Sequence, residues 1–120
     1  VINLRLSSVV DDTKMPSLRE VGPPHQWGLG SLTLMALSDA VRAFKMAAES
    51  GHTAGVRIMN AAAPRSWVKD SVCDILRNWW DDDVDLSKFE REGHRHDSIY
   101  SVGLIKEEID FEALRLPENA

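Results

Sequence analysis

Cysteine is nearly absent: Cys73 stands alone, so no disulfide can form within the chain. A lone thiol among Val72, Ile75 and Leu76 reads as a small buried side chain, and the expected compartment is cytoplasmic. No apolar run approaches the roughly 20 residues that cross a bilayer, and no signal-peptide pattern follows Val1, so no membrane partner is expected. Positive charge is scarce and scattered. Fourteen Lys and Arg face 19 Asp and Glu, for a net charge of −5, and no basic stripe forms, which argues against nucleic acid. There is no internal repeat, and no nucleophile stands beside a base in sequence.

What is present suits one domain. A chain of 120 residues that is 43% hydrophobic can build a single core and is not compositionally disordered. Residues 1–10 read as a strand that begins at the first residue, Val1-Ile2-Asn3-Leu4-Arg5-Leu6, with no lead-in. Such a run needs neighbours for its edges, so the expectation is that a preceding part of the protein supplies them. Residues 11–30 form a long loop rich in Asp, Pro and Gly, and loops of that length usually serve function. A short strand over Ser31–Leu37 leads to a helix capped by Ser38, carrying Val41, Phe44, Ala47 and Ala48 on one face and stopped by Gly51. A strand follows over 55–61, then a helix capped by Ser66 with Val68, Val72, Ile75, Leu76 and Trp79 on its apolar face. A last helix ends near Asp110, and 112–120 is a loose tail. Strands separated by helices or long loops pair in parallel, and a parallel sheet wants more strands than this chain supplies.

Four stretches carry candidate chemistry. Gly28-Leu29-Gly30 lacks the third glycine and the preceding strand of a dinucleotide turn, and reads as a flexible loop. Asp81, Asp83, Asp85 and Glu92 match calcium-loop positions, but Leu86 occupies the glycine position, so a solvated acidic turn is the simpler reading and a weak calcium site the alternative. His94, His96 and Asp97 are metal-ligand types without a clearly placed third donor. Arg95 offers a guanidinium fork to an anionic substrate group. The four tryptophans suit packing better than a ligand cage, with Trp80 off the apolar face of its helix and available to a partner.

Several segments in order resemble the C-terminal half of the extended short-chain dehydrogenase/reductase superfamily, the NAD-dependent epimerase/dehydratase family. Val1 to Val10 resembles the family's late strand. Leu34 to Phe44 resembles its short strand running into an Asp-led, alanine-rich helix. Val56-Arg57-Ile58-Met59-Asn60-Ala61-Ala62-Ala63-Pro64 resembles the following strand, and Ser98 to Phe111 the closing helix. Asp110 stands where the family favours glycine, and Leu6 replaces a common proline. The family's glycine-rich turn and Tyr-x-x-x-Lys pair are not in this chain: Tyr100 is the only tyrosine, and Leu104 stands four residues on.

The resemblance implies an α/β fold, the C-terminal part of a Rossmann-like doubly wound sheet with its small substrate-binding region over residues 1–111. It implies NAD or NADP as cofactor in the complete enzyme, with Leu6, Ser7 and Ser8 near the nicotinamide. It implies a sugar, nucleotide sugar or related carbonyl compound as substrate, bordered by His25 and Trp27 and contacted by Arg95. The partner it implies is an N-terminal Rossmann half, without which the fragment is catalytically inert; a homodimer is compatible with it. The alternative from another class is a non-catalytic α/β interaction module that presents its tryptophans and acidic turn to a protein.

Overall fold

The computed structural model describes residues 1–16, 32–51, 55–80 and 85–116, and these form a mixed α/β structure. Strands β1 (Ile2–Leu6), β2 (Ser8–Val10) and β3 (Leu34–Ala36) precede helix α1 (Leu37–Glu49). Strand β4 (Arg57–Ala61) and helices α2 (Val72–Trp79), α3 (Ser87–Glu90) and α4 (Gly103–Ile109) follow. None of the described helices is long and apolar enough to cross a membrane.

Parallel pairing is as the connections require. β1 runs parallel to β4, with Leu4 opposite Met59 and Arg5 opposite Asn60, and β2 runs parallel to β3, with Val9 opposite Met35. The expected single strand over 1–10 is broken at Ser7, where the chain changes partner. The Ser7 N–H still donates to the Ala61 carbonyl at 3.3 Å, and from Ser8 onward the ladder is with β3. The result is two small parallel ladders sharing one continuous run.

Side chains alternate across a strand. Ile2, Leu4, Met59 and Ala61 therefore pack on a core with Met35, Ala40, Ala43, Ile105 and Phe111. The other face carries Asn3, Arg5, Ile58 and Asn60. The α1 face expected from sequence is reversed: Ala40 and Ala43 are buried, whereas Val41 and Phe44 are 59% and 53% exposed. Small alanines let the helix lie close to the strands, and the methionines Met35 and Met59 fill the space between.

The helix ends also differ from expectation. Ala36 occupies the α1 N-cap position without a side-chain bond. Ser38 instead donates its N–H and its hydroxyl to the two oxygens of Asp12, at 2.8 and 2.5 Å. These bonds hold the Asp12 carboxyl below the usual carboxylate range, the Ser38 hydroxyl being the largest cause. At the other end the Ser50 hydroxyl donates to the Ala47 carbonyl at 2.7 Å, and Gly51 does not adopt the left-handed conformation. Ser71, not Ser66, caps α2, accepting from the Asp74 N–H at 3.3 Å. The residues between are irregular, with Ser66, Trp67 and Val68 buried: the Ser66 N–H donates to the His96 carbonyl, and its hydroxyl accepts from the Val68 N–H.

The close of the chain is more ordered than a loose tail as far as Leu116. Asp110 takes the left-handed conformation (φ 56°), turning the chain so that Phe111 is buried beside Ile105. Asp39, 2% exposed, then accepts from the Leu114 and Arg115 N–H groups at 3.1 and 3.0 Å, and from Arg42 at 2.8 Å. The buried carboxylate therefore meets donors on both of its oxygens.

Candidate functional site

In open parallel sheets the carboxyl ends of the strands are where ligands gather, because chain crossings leave a crevice there. β1 and β4 end side by side at Leu6 and Ala61. A cavity of about 350 Å³ opens at that end, lined by Arg5, Leu6, Ser7, Asn60 and Tyr100. Arg5 and Asn60 come from the sheet face away from the hydrophobic core. The Asn60 amide is held by donating to the Ser101 carbonyl at 3.1 Å, and the Tyr100 N–H donates to the Ser98 hydroxyl at 3.1 Å. Ser7 is 8% exposed, and its hydroxyl has no hydrogen-bond partner in the structure. Buried hydroxyls are ordinarily bonded; this one is unmet and shielded from the open space of the cavity.

The expected cofactor residues fall partly here. Leu6 and Ser7 line the cavity, whereas Ser8 begins β2 and does not. His25 and Trp27 lie outside the described residues. Arg95 is elsewhere: it lines a separate cavity of about 220 Å³ with Ser71, Cys73, Asp74, Arg77 and Glu90. Two carboxylates share that cavity with the two arginines, and Arg77 is ion-paired with Glu90. Cys73 is buried as expected, and burial pushes its thiol pKa up, which disfavours a reactive thiolate. Sequence reading passed over Asn60 and Tyr100 as lining residues. The register of β4 against β1 brings Asn60 level with Arg5, and no local pattern encodes that pairing.

A further cavity, of about 490 Å³, opens where Val1 and Arg57 meet the end of α1, at the amino ends of β1 and β4. Its only charged side chain, Arg57, is engaged by Glu108 at 2.9 Å, so it offers little to orient a polar ligand.

The other candidate ligands disperse. Asp85 accepts from the Ser87 N–H at 3.0 Å, which holds its carboxyl below the usual range, and Asp81 and Asp83 lie outside the described residues. His94 Nδ1 meets Asp97 at 2.7 Å, while His96 Nε2 meets the Lys69 carbonyl at 3.1 Å, so the two histidines have different partners. Among the described residues no group of three or more His, Cys, Asp or Glu side chains is arranged to hold a metal ion. Compared with known proteins, the chain matches no family model, no curated protein and no solved structure.

Proposed function

We propose that residues 1–111 are the substrate-binding, C-terminal portion of an NAD(P)-dependent epimerase, dehydratase or reductase, of the extended short-chain dehydrogenase/reductase type and working in the cytoplasm. The observation that carries this reading is the cavity at the carboxyl ends of parallel strands β1 and β4, walled by Leu6 and Ser7. The two segments that resemble the family's late strand and the strand after it are neighbours and parallel, as a doubly wound sheet requires. One side chain present suits a nicotinamide: Leu6, 41% exposed, offers an apolar surface to a ring. When bound, NAD or NADP would accept or return a hydride at a sugar or related carbonyl carbon.

This chain's own part is to bind and orient. Leu6 and Ser7 border the cofactor end of the cavity, and Arg5, Asn60 and Tyr100 the substrate end. The tyrosine and lysine that move the proton, and the glycines that hold the pyrophosphate, belong in this reading to an N-terminal half. Among the described residues β1 pairs only with β4; its other edge and the outward apolar stripe Leu37, Val41 and Phe44 on α1 are surfaces that a further layer of such a fold would cover.

The test is the reading frame upstream of the codon for Val1. A glycine-rich strand–helix turn followed by Tyr-x-x-x-Lys is expected there, with NADH binding by the encoded protein; a native start at Val1 overturns the proposal. The same exposed stripe, with Trp80 at 46% exposure, also favours a second reading as a non-catalytic interaction module. That reading predicts no NADH binding with or without upstream sequence.

A further inference from the structure

We propose that the cavity at the ends of β1 and β4 recognises a compact oxyanion, a carboxylate or phosphate carried by the substrate, with Arg5 as its cation and Tyr100 as a hydroxyl donor. The proposal deepens the preceding reading, from which it takes the expectation that the ligand is a sugar derivative; the anion itself is argued from the lining. Of the five residues lining the cavity, one is charged, and that one is Arg5. An acid-free cavity with a cation in it runs against the composition of a chain whose net charge is −5.

Other arginines are already answered. Arg42 meets Asp39 at 2.8 Å, Arg57 meets Glu108 at 2.9 Å, Arg115 meets Asp12 at 3.7 Å, and Arg77 meets Glu90. Among the described residues no carboxylate pairs with Arg5. Arg95 shares its cavity with Asp74 and Glu90, which cancel its attraction for an anion. Polar groups beside Arg5 can donate as well: the phenol of Tyr100 carries an O–H, and the Asn60 amide, anchored on the Ser101 carbonyl, keeps a second N–H. A guanidinium fork with such donors beside it matches the geometry of a carboxylate or phosphate better than that of a neutral hydroxyl. A neutral sugar would leave the cation without a counter-charge in a concave site.

The experiment is a ¹⁵N chemical-shift titration of the full-length protein with glucuronate, glucose 6-phosphate and glucose, repeated on Arg5→Gln. Arg5 is exposed on a strand, so the variant keeps the wild-type spectrum. One or both anions should move the Leu6, Ser7 and Tyr100 amides saturably, and glucose should not. Arg5→Gln should weaken the response by about tenfold, the loss expected for one charge-assisted contact. The tighter of the two anions identifies carboxylate or phosphate. Equal shifts with glucose, unchanged binding by Arg5→Gln, shifts centred on Ser71 and Arg95, or no saturable shift with either anion would each overturn the proposal. A parallel NADH titration of the full-length protein separates the two ideas. Anion binding without NADH binding sinks the dinucleotide reading alone, and NADH binding without anion binding sinks this one alone.

Discussion

Asp39 shows how one residue can join parts of a chain that sequence reading keeps apart. It stands in the first turn of α1, where an acidic side chain suits the helix dipole, and that much is legible locally. Its burial is not, because the donors it meets, Leu114 and Arg115, are 75 and 76 residues away. Removing the carboxylate leaves the Leu114 and Arg115 N–H groups without this acceptor and breaks the ion pair with Arg42. Asp39→Ala should therefore cost about 3 kcal/mol, the range for a buried charged group stripped of its partners. Urea unfolding measures the loss, and hydrogen exchange should show the Leu114 and Arg115 amides opening first. A loss no larger than that of an exposed alanine substitution would remove Asp39 from this role.

Helix and strand types were largely legible as elements, and their ends were not. Period and composition mark α1, α2 and α4, and the alternation in 57–61 marks β4. Caps depend on which donors and acceptors the fold brings near, so Ser38 and Ser66 looked like caps and are not. The start of α1 is tied instead to the turn at Asp12–Lys14, 26 residues upstream of Ser38, through the Asp12 carboxylate. Because this carboxyl titrates lower in the folded chain than in the unfolded one, its contribution is complete above the ordinary carboxylate range. It is lost as pH falls through the folded value. The facing charges are Arg115, which reinforces the shift, and neighbouring Asp11, which accepts the Thr13 N–H and hydroxyl. Wild type should melt above Asp12→Asn at neutral pH, and the gap should close on acidification below about pH 4. A melting-temperature gap that is constant across an acid titration would contradict this account.

At the scale of the molecule, the sequence showed parallel pairing, and it hid the division of residues 1–10 between two partners. It also hid which face of α1 is buried. Hydrophobicity alone favours burying Val41 and Phe44, yet close packing against β1, β3 and β4 favours the small residues Ala40 and Ala43 on the inner side. The stripe of Leu37, Val41 and Phe44 is left facing outward, 48%, 59% and 53% exposed. Side chains that already meet water have little burial to lose. The double change Val41→Lys with Phe44→Lys should thus shift unfolding stability by no more than about 0.5 kcal/mol, as surface substitutions do. Lysine's better helix propensity offsets part of the contact Phe44 makes at the rim of the cavity beside Val1. Ala43→Leu, by contrast, forces extra volume between α1 and Met59 and should cost about 1–3 kcal/mol. Urea denaturation of both variants reads the orientation of the helix directly. If the lysine pair is the damaging change and Ala43→Leu the tolerated one, α1 lies on the sheet by its other face, and the surface assigned to a further layer of the fold is core.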